Sequence, residues 1–441
     1  MNVAIAGTGY VGLVTAVCLA DYGHTITCVD IDEAKIDQLK QGRSSIYELG
    51  LQEMLLRNRE RLAFTTKGYE AYRQAELVLV CVGTPERKDG SANLAYVHEV
   101  VRQITDAAER DCVVAIKSTV PVGTNDKLSH MLEERLRGLG KKLRLHVVSN
   151  PEFLSQGSAI RDTLNATRIV IGSEDETSVN VMRRLYDPFD IPYVLTDRKS
   201  AEMIKYAAND FLALKISYIN EIANLCEIIG ANVEDVAKGM GMDKRIGNRF
   251  LKAGVGYGGS CFPKDTKALH WLASYNDYEM KTIKAAIEVN EGQKIRLLKK
   301  ARKYYDTFDG LTIAILGVTF KPETDDLRES PSLANIPYLL EDGAKLRVWD
   351  PVGLANLRQI YHDDLIYCNA IEEALTGADA CFIFTEWRAV KELDLGIYSR
   401  LMSNPLVFDG RNCYNVDDAE AAGIYYESIG RSRRHERMVK A

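Results

Sequence analysis

Residues 3–30 admit few folds. Val3-Ala4-Ile5-Ala6 is an apolar run of the length of a buried strand. Gly7-Thr8-Gly9-Tyr10-Val11-Gly12 follows, then a helical stretch to Asp21, a stop at Gly23 and a second strand-like run, Thr25 to Val29, that ends at Asp30. This is a βαβ order with G-x-G-x-x-G at its turn and an acid closing the second strand, the fingerprint of a dinucleotide site. The glycines permit the tight turn, the close approach of a pyrophosphate and the packing of helix on sheet. The pyrophosphate would rest on the free N–H groups at the helix start. Gly7, Gly9, Tyr10, Val11 and Gly12 are therefore assigned to the cofactor, and Asp30 to its ribose hydroxyls. A carboxylate there repels a 2′-phosphate, which favours NAD over NADP. Lys35, one turn further on, is expected to assist.

The same alternation continues. Leu77 to Val82, Cys112 to Ile116, Leu145 to Val148, Arg168 to Gly172 and Pro192 to Leu195 read as strands of a mostly parallel sheet. From Ser200 to Ile229 no glycine or proline occurs, and apolar residues at 204, 208, 211, 212, 216, 219, 223 and 225 predict one long amphipathic helix. Helical sequence follows at Val233 to Met240 and Tyr278 to Tyr304. Near Gly310 the α/β rhythm restarts, with strands at Thr312 to Gly317, Lys345 to Asp350, Ala380 to Phe384 and Leu406 to Asp409. The fold class is thus α/β, two doubly wound Rossmann-like domains joined by a long central helix and a helical middle. The expected division is a dinucleotide-binding domain at 1–198, a helical domain at 199–305 that carries the dimer contact, a second Rossmann-like domain at 306–430 and a basic tail at 431–441.

Composition removes several function classes. The net charge of −6 argues against a nucleic-acid binder. The longest apolar runs fall far short of the roughly 20 residues of a membrane span. The N-terminus has no basic region ahead of an apolar stretch, so no signal peptide is expected. Nine cysteines, scattered singly without a CxxC pair, suit a reducing, cytoplasmic setting. No HExxH or paired CxxC pattern supports a metal site.

Several loops follow strand ends, where ligands of open α/β sheets bind. Thr84 lies in Val82-Gly83-Thr84-Pro85 and Thr119 in Ser118-Thr119-Val120-Pro121-Val122-Gly123-Thr124; both are placed at the cofactor. Glu152, in Asn150-Pro151-Glu152-Phe153-Leu154, faces the same crevice and can orient water or a substrate hydroxyl, although an exposed glutamate would look the same in sequence. Lys205 and Asn209 share one helical face and form either a donor pair for a developing oxyanion or an ordinary solvated pair. The most informative stretch is Gly254-Val255-Gly256-Tyr257-Gly258-Gly259-Ser260-Cys261-Phe262-Pro263-Lys264-Asp265. Its glycines let backbone approach a ligand. Pro263 marks the first turn of a helix, which puts Cys261 at a helix N-terminus near a lysine, where a thiolate is favoured. Asp265 lies one turn on. An activated nucleophile and an inert buried thiol are both open at this point.

GxGYVG, STVPVGT, NPEFL, K-x-x-x-N, G-x-GGSCFPKD and FKP-x-TDD-x-RES occur in that order from Met1 to about Asn412. Together they resemble the UDP-glucose 6-dehydrogenase family, and the cysteine element is the most specific of them. The resemblance implies a four-electron oxidation of UDP-glucose at C6 by two NAD, through a thiohemiacetal and a thioester on Cys261. Lys205 and Asn209 would stabilise the C6 oxygen, while Asp265, Thr119 and Glu152 would hold waters and relay protons. Lys264 and Arg328 would touch the cofactor. Glu152, Phe153, Leu154, Lys205, Asn209, Phe250, Leu251, Lys252, Ala253, Gly254, Tyr257, Gly258, Phe262 and Lys321 would hold the UDP-sugar. Arg245 would reach the sugar site of a neighbouring subunit in a homodimer or larger homo-oligomer. Two positions depart from the family pattern: Gln156, where a glutamate is usual, and Leu49 in Ser44 to Leu51, where a proline is usual. The rival readings are the same chemistry on UDP-N-acetylmannosamine or GDP-mannose, a single-step hydroxyacid dehydrogenase, and a non-catalytic NAD or nucleotide-sugar binder.

Overall fold

A computed structural model describes residues 1–431. The chain forms two compact units, Met1–Ala208 and Asn209–Ala441. The first is built on a sheet of β1 (Asn2–Ala6), β2 (Thr25–Val29), β3 (Leu62–Thr65), β4 (Leu77–Val80), β5 (Cys112–Ile116), β6 (Leu145–Ser149), β7 (Ile169–Gly172) and β8 (Tyr193–Thr196). Their order is β3-β2-β1-β4-β5-β6-β7-β8, and every pairing is parallel except β6 with β7, which meet antiparallel at Ser149 and Gly172. Every residue of β4 and β5 is buried, as a parallel sheet covered on both faces requires. The strand order reverses beside β1, so the loops after β1, β4, β5 and β6 open on one carboxyl edge.

Helix α1 (Tyr10–Asp21) packs so closely on the turn after β1 that a Cβ on Gly12 would stand 1.9 Å from the Gly7 carbonyl oxygen. Gly7 itself has φ +96°. Helix α2 (Thr124–Gly138) starts from the Ser118–Gly123 loop. Helix α3 (Arg198–Ile229) is continuous, and the boundary between the two units falls inside it.

The second unit holds α4 (Val233–Gly241), α5 (Phe262–Tyr275), α6 (Lys281–Lys294) and α7 (Arg296–Ala301), then β9 (Thr312–Leu316), β10 (Lys345–Trp349), β11 (Ile366–Tyr367), β12 (Ala380–Ile383), β13 (Leu406–Asp409) and β14 (Tyr425–Glu427). The order β11-β10-β9-β12-β13-β14 is wholly parallel and repeats the topology of the first sheet.

Three expectations need correction. The helix expected over Tyr278 to Tyr304 is two helices, broken at Ile295 (φ −97°, ψ 14°). On either side of the break Lys294 and Lys300 turn buried ammonium groups to Glu329 at 2.6 Å and Glu227 at 2.9 Å, contacts that local periodicity does not record. Arg431, expected in a frayed tail, is buried; its guanidinium donates to the Tyr414 carbonyl at 2.9 Å and the Tyr426 hydroxyl at 3.1 Å. The rest of that tail, 432–441, lies outside the described residues. On α3, Phe211 and Leu225 are exposed rather than packed within the chain. Among the described residues no helix is long and apolar enough to cross a membrane.

Candidate active site

At the carboxyl edge of the first sheet, the groups needed by a dinucleotide are assembled. No side chain caps α1, and a Cβ on Gly9 would meet nothing within 4 Å, so the helix start opens on free space. One oxygen of Asp30 accepts from the Thr8 backbone N–H at 2.8 Å and the Thr8 hydroxyl at 2.7 Å, and the other from Asp32 N–H at 3.1 Å. Burial would raise its pKa, but these bonds and the charge of Lys35 outweigh burial and hold the carboxyl below its ordinary range. Lys35 itself pairs with Asp32 at 3.7 Å. The residues therefore fit an NAD with free ribose hydroxyls. The second sheet offers a contrast. Asp350, at the corresponding place after β10, is buried and accepts Val352 N–H at 3.0 Å and Gly353 N–H at 2.7 Å on one oxygen and Val318 N–H at 2.8 Å and Trp387 Nε1 at 3.0 Å on the other, whereas Asp30 is only half-buried. Asp30→Ala is expected to weaken NAD binding roughly 10-fold or more, the worth of a hydrogen bond to a charged group, and to relax discrimination against NADP. Fluorescence titration with both cofactors measures this, and unchanged NAD affinity removes Asp30 from the site.

Further along the same edge, Thr84 donates its hydroxyl to the Thr119 carbonyl at 2.9 Å, and Ser118 donates to the Val82 carbonyl at 2.6 Å, so the loops after β4 and β5 are tied together. Glu202 of α3 accepts the N–H groups of Gly123 at 2.5 Å and Asn125 at 2.7 Å, fastening the Thr119 loop to that helix. One turn on, Lys205 Nζ meets Glu152 Oε1 at 2.9 Å, with side chains only 4% and 8% exposed. The other Glu152 oxygen accepts Leu154 N–H at 2.7 Å. Phe153 carries Arg168 over its ring at 4.1 Å and Lys205 at 5.5 Å. Neither Glu152 nor Lys205 is a solvated surface charge. The loop that follows is held by Glu48, whose oxygens accept Gly157 N–H at 2.6 Å and Ala159 N–H at 2.7 Å, and by the Tyr10 hydroxyl, which accepts Gly157 N–H at 2.8 Å. Leu49, the departure from the usual proline, is exposed.

In the second unit, Cys261 is exposed and stands at the N-cap of α5. Lys264, expected to attend the thiol, places its ammonium on Asp265 Oδ1 at 2.5 Å; a cation in electrostatic contact with Cys261 is Arg328, whose carbonyl also accepts Gly259 N–H at 2.8 Å. Asn209 Nδ2 donates to Asp265 Oδ2 at 2.7 Å, so both oxygens of this buried carboxylate are engaged. The glycine loop is set by amide side chains. Asn290 clamps both the N–H (2.8 Å) and the carbonyl (3.1 Å) of Tyr257, while Asn220 accepts Gly254 N–H at 2.9 Å and Gln293 donates to the Gly254 carbonyl at 2.7 Å. A Cβ on Gly258 would stand 2.3 Å from the Glu329 carbonyl oxygen. Tyr257 and Phe250 pack on Phe262 with ring centres 5.9 and 6.2 Å apart, and Leu251 and Ala253 are buried while Lys252 is exposed. Lys321 rides over the Phe320 ring at 5.6 Å. Arg245 projects with 89% of its side chain exposed and pairs with neighbouring Asp243 at 2.6 Å.

Two clusters thus emerge, Glu152 with Lys205 and Asn209 with Asp265 and Lys264. Thr8, Glu48, Glu202, Asn290 and Gln293 were absent from the sequence-based assignment. Thr8, inside the glycine motif, Glu48, beside Leu49 in the Ser44 to Leu51 segment, and Glu202, one turn before Lys205, had a positional clue.

The chain was compared with known proteins. Three profiles of the UDP-glucose/GDP-mannose dehydrogenase family match it: the NAD binding domain over residues 1–190, the central domain over 199–292 and the UDP binding domain over 314–416. It is 48% identical to UDP-glucose 6-dehydrogenase YwqF of Bacillus subtilis, over 98% of both chains. It is 43% identical to a UDP-glucose 6-dehydrogenase of Rhizobium meliloti, over 98% of this chain and 100% of the other. Among solved structures, a UDP-glucose dehydrogenase from Pyrobaculum islandicum superposes with TM-score 0.89 at 36% identity, covering 97% and 96% of the two chains. A UDP-D-ManNAc dehydrogenase from Pyrococcus horikoshii superposes with TM-score 0.85 at 27% identity, covering 98% and 99%.

Proposed function

Because the chain belongs to the UDP-glucose/GDP-mannose dehydrogenase family, we propose that it is an NAD-dependent UDP-glucose 6-dehydrogenase that oxidises the C6 alcohol to the carboxylate of UDP-glucuronate. The observation that carries the reading is Cys261, exposed at a helix start on a loop where side chains do not fit, one turn from the Asn209–Asp265–Lys264 cluster. Such a thiol suits an alcohol-to-acid oxidation. An aldehyde carbon bound to sulfur carries a C–H from which a second hydride can leave, and the covalent bond retains a reactive intermediate.

NAD supplies the hydride acceptor for both oxidations, held by Gly7 to Gly12 and Asp30, with Thr84 and Thr119 at the same edge and Lys264 and Arg328 as further contacts. Lys205 and Asn209 donate to the C6 oxygen as negative charge develops on it. Cys261 attacks the aldehyde carbon to give the thiohemiacetal, and loss of the second hydride leaves a thioester. Water, oriented by Glu152, Thr119 and Asp265, opens that thioester and frees the thiol. Phe153, Leu154, Phe250 to Gly254, Tyr257, Gly258, Phe262 and Lys321 hold the UDP-sugar. The same reading divides the chain at 198/199 and 305/306.

The choice of sugar follows the closely similar curated enzymes rather than the fold, since proteins named for UDP-glucose and for UDP-D-ManNAc share that fold. Assembly into a homodimer or larger oligomer is supported by the exposed Phe211, Tyr218 and Leu225, which recur every seventh residue on α3, and by the outward-standing Arg245. With UDP-glucose limiting and NAD in excess, two NADH per sugar are expected. One NADH overturns the thioester route, and none, with turnover of another nucleotide sugar, reassigns the substrate.

A further inference from the structure

Asp210 follows Asn209 on α3, and nothing in the proposed chemistry uses it. The residue is 1% exposed, and both carboxyl oxygens are shut off from water with no hydrogen-bond partner among the described residues. A carboxylate in that state is costly, and a neutral residue would fill the place without the cost. The charged and titratable groups facing it are Asp265 and Lys264 of α5. The Tyr257 phenol of the glycine loop is also influenced by Asp210, and by Glu291 of α6.

Two carboxyls in one dry pocket do not both ionise easily. Asp265 is the one whose charge is supported, with Asn209 on one oxygen and Lys264 on the other. Asp210 has no such support. Burial first, and the charge of Asp265 second, push it up to about 8 against the pull of Lys264. Asp210 therefore keeps its proton to a higher pH than an ordinary carboxyl does.

We propose that Asp210 is a positioning residue for proton transfer at the Cys261 site: shut away beside Asp265 with no hydrogen-bond partner among the described residues, it makes Asp265 a stronger proton acceptor when it carries a charge and not when it is neutral. This rests on the reading of Cys261 and Asp265 as partners in the reaction. The proton Asp265 receives comes from the water that opens the thioester, and Asp210 sets how tightly it is held.

Carbon-13 carboxyl titration of the aspartate-labelled protein tests the pairing, with signals assigned by Asp210→Asn and Asp265→Asn. Asp210 is expected to titrate well above the ordinary carboxylate range, and its midpoint is expected to fall in Asp265→Asn. In kinetics, the ratio of wild-type to Asp210→Asn kcat is expected to rise about threefold or more between pH 7 and pH 9, because a stronger base transfers protons faster. A packing role alone gives a pH-independent ratio. Asp210→Ala serves as the second variant if the amide does not fold. A normal midpoint for Asp210, a midpoint unmoved by Asp265→Asn, or a flat ratio overturns the assignment. A wild type that makes no NADH from UDP-glucose overturns the activity instead, and the titration still decides whether the two carboxyls are coupled.

Discussion

Cys261→Ser is expected to reduce UDP-glucuronate formation by roughly a thousandfold or more, while NAD and UDP-glucose still bind. A serine hydroxyl at this helix start is far weaker as a nucleophile near neutral pH than a cysteine thiol, of which a fraction is thiolate even at its free pKa. Cys261 is exposed, its sulfur meets the Ser260 hydroxyl at 3.7 Å, and its backbone carbonyl serves α5 by accepting Asp265 N–H at 2.8 Å, a bond the serine keeps. The substitution therefore separates chemistry from folding. Product analysis by chromatography, with ligand binding followed calorimetrically, is the measurement. Acid formation at the wild-type rate would remove the covalent intermediate.

Lys205→Met is expected to be costly twice over. Its ammonium neutralises Glu152 at 2.9 Å in surroundings that leave both side chains below a tenth exposed. Removing one partner of such a pair strands the other charge, which costs about 3–5 kcal/mol. Thermal unfolding would register that loss. Separately, loss of an oxyanion donor is expected to lower kcat roughly 10²- to 10³-fold. Lys205→Met with Glu152→Gln removes the stranded charge, so it is expected to recover much of the stability and none of the rate. Recovery of both together would mean that Lys205 serves only to neutralise the Glu152 charge and that neither group takes part in the chemistry.

The part of the site legible in the sequence is the part made locally. Gly7, Gly9, Gly12 and Asp30 lie within one βαβ unit, where a positive φ requires Gly7 and close packing on the Gly7 carbonyl requires Gly12. The long α3 helix was legible because thirty residues without glycine or proline leave few alternatives. Edge strands β3, β11 and β14 were not. They are two to four residues long and only partly buried, so they lack the continuous apolar run of central strands. The burial of Glu152 and the engagement of Asp265 depend on partners 53 and 56 residues away in sequence. No local pattern records such a meeting. Asp210 looked like any polar helix residue, and only three-dimensional packing reveals that it is shut away from water with no hydrogen-bond partner among the described residues.

The cysteines bear on how the protein meets oxidants and alkylating reagents. Seven of the nine are buried and Cys413 is partly so. Burial pushes the thiols at 18, 28, 81, 112, 368, 381 and 413 upward, away from the reactive thiolate. A water-borne electrophile therefore meets a nine-thiol chain as though it carried one. Oxidation is expected to concentrate on Cys261, and a thiol count on the native protein becomes a direct assay of how many molecules in a preparation still carry that thiol intact.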